Sequence, residues 1–364
     1  MNNVKTYPRL NILWISSHLS LVLLFLLVIA PLSFLSAAPS AEQDSENAVD
    51  ILTSIPPIEG IVRALVDEAL SVDSLISGDP HAYLPSPSDA LAVQNAPVLV
   101  LLEPSFEYHL GKLLPSRADS KETIILGETP SLDLLEVSHE HHHHGDEEHD
   151  DHDEEHDDHD EEHDDHDEEH DDHDEEHDDH DEEHDDHDEA ATGSYDYHIW
   201  LDPSLVGVVA EHLFEKLSAL YPQHRTLMKE NLDEFHEKLE TIALDVGNIL
   251  TPVQEKSFIV VHDGMQYFEN AFGLERSFAL FPEEAVNLSG KRATELIDEI
   301  ESNDIKVMFI ENQFSYDVYT ELGEQLSLNT YSIDPLGITI DRNKDHYFVL
   351  ITSLAETIAE ALNN

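Results

Sequence analysis

A long polar tract limits where this chain can form a folded core. Residues 139–189 consist only of His, Asp and Glu, apart from Gly145, and they contain 17 of the chain's 26 histidines. From His149 onward the histidines recur at intervals of three and four, in a seven-residue unit HDDHDEE. Because the tract has no apolar side chain, it cannot pack a core, and we expect it to be disordered without metal. Folded domains must be built from the residues on either side.

The tract is also a candidate metal-binding segment. Imidazole is a good ligand for Zn²⁺, Cu²⁺ and Ni²⁺, and carboxylates can complete the coordination sphere. Several weak sites are expected, because a flexible chain loses conformational entropy for each ion that orders it. A solvated acidic spacer, enlarged by repeat expansion, is the alternative. The candidate ligands of the weak sites are His149, His152, His156, His159, His163, His166, His170, His173, His177, His180, His184 and His187.

Charge and composition narrow the classes of partner. The chain has 80 acidic and 17 basic residues and a formal net charge of −63 at pH 7, so its field repels nucleic acid and favours cations. It contains no cysteine, which excludes disulfides and thiolate sites, so a metal must be held by imidazole and carboxylate. A length of 364 residues with 40% hydrophobic content predicts two folded domains.

The N-terminus predicts a secretory signal peptide at residues 1–41. Lys5 and Arg9 precede an apolar run at residues 19–35, and small residues follow at 36–41, as in a signal with a cleavage region. A retained membrane anchor is the alternative, because the run is close to a spanning length. Without a cysteine for a lipid anchor, we expect a periplasmic protein that is not inserted in the membrane after cleavage.

Short apolar runs alternate with amphipathic stretches on both sides of the tract. This alternation predicts an α/β fold with two lobes, each a parallel sheet flanked by helices. In the first lobe, strands are predicted at residues 49–52, 74–76, 98–102 and 123–126, and helices at 58–70 and 88–95. In the second, strands are predicted at 258–261, 277–281, 307–310 and 330–333, and helices at 292–301 and 346–362.

One long helix is predicted between the lobes. Apolar residues recur at helical spacing over residues 222–250, and Pro222 stands at the start of this stretch, a position that suits proline. The predicted organisation is therefore a signal peptide at 1–41, an N-terminal lobe at 46–221 with the insertion 139–189, a linker helix at 222–250 and a C-terminal lobe at 251–364.

Seven histidines outside the tract are weighed as metal ligands. Three of them, His81, His198 and His262, follow predicted strands or lie in loops, and ligands of α/β lobes collect at the carboxyl ends of parallel strands. The other four lie in helical surroundings and are not expected to bind metal, three of them as solvent-facing side chains (His212, His224 and His236) and one within a predicted helix (His109).

The segments around the first three histidines carry a family resemblance. They are DPHAYLPSPSD at 79–89, DYHIWLDP at 196–203 and VHDGMQYF at 261–268, followed by FIENQFS at 309–315 and DPLG at 334–337. In this order and spacing they resemble the metal-receptor proteins of bacterial ABC importers for zinc and manganese, the cluster A-I substrate-binding proteins, over residues 48–362. The resemblance implies two α/β lobes joined by a long rigid helix, with the metal in the cleft.

The resemblance also implies a set of ligands. Carried over by motif, these are His81, His198 and His262, with Asp334 as a candidate for the fourth position. That position is open, because Pro80 stands where some members have a glutamate: the fourth ligand is Asp334, a water or neither, and Asp334 as a cap or turn residue is the alternative.

Two acids and one histidine refine the expected site. Glu107 and Glu311 match family positions and either orient ligand histidines through their second ring nitrogen or serve only the fold. Manganese members tend to have a carboxylate where this chain has His262, and three imidazoles suit zinc better than a hard cation.

The function implied is a monomeric extracytoplasmic receptor that captures Zn²⁺ and delivers it to an integral-membrane ABC permease, with additional ions in the tract. A manganese receptor and a His-rich storage protein are the alternatives. A zinc hydrolase is disfavoured, because no HExxH-type helix is present and Asp263 is the only acid adjacent to His81, His198 or His262, whereas such enzymes need a carboxylate base beside bound water. No enzymatic turnover is expected.

Overall fold

The computed structural model of this protein describes residues 49–137, 195–281 and 290–364. The predicted signal peptide and the tract at 139–189, with its twelve candidate weak ligands, lie outside the described residues. Those interpretations therefore stay predictions. Across the described ranges, every helix is too short or too polar to span a bilayer.

A four-stranded parallel sheet forms the centre of the first lobe. Its strands β1 to β4 span Ile51–Thr53, Val72–Ser74, Val98–Leu101 and Glu122–Ile125. They are arranged in the order β2-β1-β3-β4. All residues of β3 are buried, as expected of an inner strand covered on both faces. The helices α1 to α4 of this lobe span Pro56–Val66, Pro87–Asn95, Tyr108–Gly111 and Pro203–Leu220.

A single long helix, α5, spans Arg225–Leu250 and leads into the second lobe. It packs against α1 and α4 through buried side chains at helical spacing, namely Met228, Leu232, Phe235, Leu239, Ile242, Val246 and Leu250. The helix begins three residues later than predicted, because Pro222 opens a separate 3-10 turn, Pro222–His224. Since an unbroken helix bends less than an extended linker, relative motion of the lobes should be modest.

The second lobe repeats the arrangement of the first. Its strands β5 to β8 span Ile259–His262, Phe278–Phe281, Val307–Glu311 and Asn329–Ile333. They form a parallel sheet in the order β6-β5-β7-β8. Its helices α6 to α9 span Gln266–Phe272, Gly290–Ser302, Tyr316–Gln325 and His346–Asn363. Helix α9 packs along α5 and against α1, so the two lobes share one helical layer.

The predicted fold class, two α/β lobes joined by a long helix, is confirmed. The strand predicted at 74–76 is displaced: β2 begins at Val72, whose backbone pairs with Ile51. The apolar residue Ile76 lies beyond the strand, although its amide still donates to the Ser54 carbonyl at 2.8 Å. The helix predicted at 58–70 ends earlier, at Val66, because Asp67 takes a positive φ of 49°.

A buried junction joins α1 to the loop before α9. Glu59, which is 2% exposed, accepts hydrogen bonds from Arg63 at 2.6 Å and Ser74 at 2.7 Å, and Arg342 of the second lobe lies 3.6 Å away. His346, which was not among the weighed histidines, is fully buried beside them. A Cβ atom at Gly60 would lie 2.8 Å from its Nδ1, so glycine allows this close approach. Burial lowers the pKa of His346, which favours a neutral, structural imidazole.

Candidate metal centre

Three separate segments bring His81, His198 and His262 to one point. His81 lies in the loop after β2, where its amide donates to the Asp79 carboxylate at 3.0 Å. His198 directly precedes the 3-10 turn Ile199–Leu201 that leads into α4. His262 is the last residue of β5. The site therefore lies at the carboxyl ends of strands from both sheets, where ligands of parallel sheets bind.

The three imidazoles are close enough to share one ion. Their ring centroids are 5.6 Å apart for His81 and His198, 6.0 Å for His81 and His262, and 5.2 Å for His198 and His262. The Nε2 atoms of His198 and His262 are 3.2 Å apart. Two nitrogens bound to a tetrahedral zinc ion at the usual bond length are about 3.3 Å apart. The two rings therefore already have the separation that a shared zinc ion requires.

The wall of the site is tight and mostly apolar. Besides the histidines, the cavity is lined by side chains that include Trp200, Met265 and Leu336. A Cβ atom at Gly264 would lie 2.5 Å from Nε2 of His262 and 3.1 Å from Nε2 of His198. Only glycine leaves room for the two ring nitrogens at this position. The indole of Trp200 donates to the Pro335 carbonyl at 2.8 Å, which ties the second lobe to the same wall.

His198 is held by Asp196, two residues before it. Its Nδ1 lies 2.7 Å from Oδ1 of Asp196, which also accepts the His198 amide at 2.8 Å. Burial lowers the pKa of the His198 ring, although the Asp196 charge opposes this shift. Burial acts to raise the pKa of Asp196, but the neighbouring His198 lowers it overall. The lowered pKa favours a neutral ring, and a neutral ring that donates Nδ1–H to the carboxylate presents its Nε2 lone pair to the cavity.

His262 is held in the same way by Glu311, the last residue of β7. Nδ1 of His262 lies 2.9 Å from Oε1 of Glu311, whose side chain is 1% exposed. Burial of the His262 ring works to lower its pKa, but the hydrogen bond to Glu311 and the Glu311 charge raise it overall. The predicted pairing of Glu311 with a ligand histidine is thus present as a contact, and its role in metal binding is a prediction.

Comparison with known proteins assigns the chain to a family. A family model described as "Zinc-uptake complex component A periplasmic" matches residues 51–361. The chain belongs to this family. It is 34% identical over 322 residues to the high-affinity zinc uptake system protein ZnuA of Brucella suis biovar 1 (strain 1330), with 86% of this chain and 91% of that protein covered.

One further relative agrees with the zinc-uptake family, and one solved structure agrees with the fold. The protein of the same name from Haemophilus influenzae (strain ATCC 51907 / DSM 11121 / KW20 / Rd) is 35% identical over 333 residues, which cover 91% of this chain and 98% of that protein. The solved structure of the periplasmic zinc binding protein TroA from Treponema pallidum shares the fold, with a TM-score of 0.64 at 16% identity, over 87% of this chain and 99% of that one. The predicted resemblance is confirmed.

The Asp334 carboxylate accepts hydrogen bonds from backbone amides that follow it in the chain. The two Asp334 oxygens accept the amides of Ile338 at 2.9 Å and Thr339 at 2.8 Å, as a turn residue does. Within the described ranges, the one group of His, Cys, Asp and Glu whose ligand atoms all lie within 4.8 Å of one another is the histidine triad. Ligation by Asp334 stays a prediction.

Glu107 lies fully buried behind the wall of the site. Its Oε2 accepts the Leu102 amide at 2.9 Å, and burial raises its pKa to about 8. The adjacent Phe106 ring packs against the rings of His81 at 4.3 Å and His198 at 5.0 Å. Glu107 therefore bonds to the backbone at the end of β3, and a direct role in orienting a histidine stays a prediction.

The histidines expected to face solvent are partly buried instead. Each ring is only partly exposed, that of His212 in α4, that of His224 in the turn Pro222–His224 and that of His236 in α5. His109 lies in α3 as predicted. Asp196 was missed from the sequence, although its position in the DYH segment, two residues before His198, was an available signal.

Proposed function

We propose that the protein is an extracytoplasmic zinc receptor that captures Zn²⁺ between its lobes and delivers it to the permease of an ABC importer. The observation that carries this proposal is the convergence of His81, His198 and His262, from both lobes, with the two Nε2 atoms 3.2 Å apart. Membership in the zinc-uptake family supports it, since the Brucella and Haemophilus relatives are named for high-affinity zinc uptake.

The donor set favours zinc over manganese as the cargo. The carboxylates of Asp196 and Glu311 accept hydrogen bonds from the Nδ1 side of the rings. The cavity therefore presents imidazole nitrogens, which zinc prefers, whereas manganese favours oxygen ligands. The fourth ligand is then a water, Asp334 or neither, and Asp334 would first have to release the amides of Ile338 and Thr339.

We propose that binding involves no bond chemistry. A zinc hydrolase needs a free carboxylate base beside the metal, and Asp263 is the acid next to His262. Both of its oxygens accept hydrogen bonds from Arg276, at 2.5 and 2.7 Å. This charge-assisted pairing of both oxygens with Nη2 of Arg276 opposes a role as a general base.

The proposed location is the periplasm, and the proposed working form is a monomer that docks to the permease through both lobes. The segment at 1–41 supports export, and the matching family is described as periplasmic. Because α5 is unbroken between the lobes, zinc release should depend on local rearrangement of the loops around the site more than on a wide hinge motion.

Removal of residues 139–189 tests whether the tight site lies in the fold or in the tract. The described segments on either side of the insertion are adjacent, because Glu136 pairs with Tyr195, so the shortened chain should close without strain. We expect the full chain to bind one zinc ion tightly and several weakly, and the shortened chain to keep only the tight one. Calorimetric titration with and without a competing chelator measures both classes.

The control replaces the tract with a Gly/Ser linker of equal length, which removes the ligands and keeps the spacing. Loss of all tight binding in both variants would indicate that the tract is the functional part and that the protein stores metal. A competition titration of Zn²⁺ against Mn²⁺ on the shortened chain separates the two cargo ions. Displacement of zinc by an equal concentration of manganese would contradict the zinc assignment.

A further inference from the structure

The two segments that flank the tract lie side by side beneath the metal centre. Glu136 forms an antiparallel bridge with Tyr195, and the amide of Asp196 donates to the Leu135 carbonyl at 2.8 Å. The second of these segments carries Asp196, which holds the ring of His198. A group that holds these two segments in place therefore also holds the ring of His198 in place, through Asp196.

A buried tyrosine from the second lobe forms hydrogen bonds with both of these segments. Tyr267, in α6, is 1% exposed. Its hydroxyl accepts the Leu135 amide at 2.9 Å and donates to the Asp196 carbonyl at 2.7 Å. The neighbouring Gln266 adds a third bond, from Nε2 to the Glu136 carbonyl at 3.1 Å. Burial raises the pKa of Tyr267, so the hydroxyl keeps its proton at neutral pH.

We infer that Tyr267 is a positioning residue for the metal centre, and that its hydroxyl sets the distance between His198 and His262 before zinc arrives. Helix α6 begins shortly after His262, so Tyr267 and His262 belong to one local unit of the second lobe. Asp196 and His198 form the matching unit of the first lobe. The Tyr267 hydroxyl joins the two units through the backbone of Leu135 and Asp196. Zinc would join them through the rings of His198 and His262.

This inference rests on the proposed function, since it assumes that His198 and His262 bind the same ion. Without the hydroxyl, the Leu135 amide and the Asp196 carbonyl lose their partner, and the Asp196–His198 segment is free to shift. Sites that hold ligands by supporting hydrogen bonds typically lose about 10- to 100-fold in metal affinity when one support is removed. The distance between the two Nε2 atoms, 3.2 Å here, should become more variable.

Tyr267→Phe in the full chain tests the inference, with Tyr347→Phe as the matched control. Tyr347 is fully buried in α9, and its hydroxyl has no hydrogen-bond partner among the described residues. Each change therefore removes one buried hydroxyl, but only Tyr267→Phe removes hydrogen bonds to the segment that carries His198. Zinc affinity is measured by competition with a chelator strong enough to report only the tightest site.

We expect Tyr267→Phe to weaken tight zinc binding by about tenfold or more and to speed zinc dissociation, while Tyr347→Phe leaves both unchanged. One equivalent of Co²⁺ gives a second readout, because its absorption bands report ligand geometry: the bands should change in Tyr267→Phe only. If Tyr267→Phe fails to fold, Gln266→Leu removes the adjacent tie and should weaken binding a few-fold, as about one supporting hydrogen bond would.

Wild-type affinity and unchanged cobalt bands in Tyr267→Phe, or in Gln266→Leu where that variant replaces it, would overturn the inference. An equal loss in Tyr267→Phe and Tyr347→Phe would also overturn it, since general packing would then explain the effect. Failure of the proposed function looks different: His262→Ala would then leave tight zinc binding intact in the same assay.

Discussion

Replacing His198 and His262 together by alanine should abolish tight zinc binding in the protein that lacks residues 139–189. The two Nε2 atoms are 3.2 Å apart, so the double variant removes two donors of one site and leaves His81 as the only imidazole of the triad. Folded zinc sites with a full ligand set bind with about 10–16 kcal/mol at neutral pH, so loss of two ligands should weaken binding by at least about a thousandfold. Chelator competition measures this change.

The control is a double variant of two histidines outside the triad, His212→Ala with His224→Ala. Both residues are partly buried, as His262 is, and neither belongs to the group of ligand atoms that converge within the described ranges. This variant should bind zinc like the parent protein. Circular dichroism of both variants establishes that they fold. High-affinity binding that survives the loss of His198 and His262 would refute the receptor assignment.

Zinc affinity of the same shortened protein should fall by at least about 30-fold between about pH 7.5 and about pH 5. Zinc binds only the deprotonated ring, so protons compete once the pH falls below the pKa of a ligand. The Glu311 contact raises the pKa of His262 above its ordinary value of 6.5, so protons compete at His262 at a higher pH than at an ordinary histidine. The pKa of His198 is lowered by burial, so that ring resists protonation until the pH is lower.

Glu311→Gln is the variant that checks the origin of this pH dependence. It removes the carboxylate charge that raises the pKa of His262 and keeps a hydrogen-bond acceptor of similar shape. Since the pKa of His262 should then fall, the loss of zinc affinity should begin at a lower pH than in the parent. Affinity that stays constant over the whole range in the parent would be incompatible with an imidazole site, after correction for protonation of the chelator.

The sheets were predictable because their inner strands contain short runs of buried apolar residues, as in Val98–Leu101 and at residues 307–310. The edge strand β2 was misplaced because its burial pattern rests on Val72 alone, whereas the more apolar residues that follow it suggested a later start. The bounds of helix α4 were not predicted, since only the surroundings of His212 were assigned as helical and the rest of this segment was assigned only to the first lobe. Local patterns fail where pairing across the sheet sets the ends of an element.

The candidate ligands were identifiable from their motifs, but the groups that hold them were only partly so. Glu311 was recognised by its position, and its contact with His262 is present. Tyr267 gave no local signal, because its hydrogen bonds reach Leu135 and Asp196, far away in the chain. The Asp334 turn depends on backbone amides of Ile338 and Thr339, and the residue type alone does not distinguish such an acceptor from a metal ligand.

A crystal structure of the shortened protein soaked in zinc, with anomalous data at the zinc edge, tests the central claim most directly. We predict one strong peak in the cleft, bonded at about 2.0–2.1 Å by Nε2 of His198, Nε2 of His262 and a ring nitrogen of His81. A fully loaded protein whose zinc peak lies elsewhere, with these three rings unbound, would contradict the account.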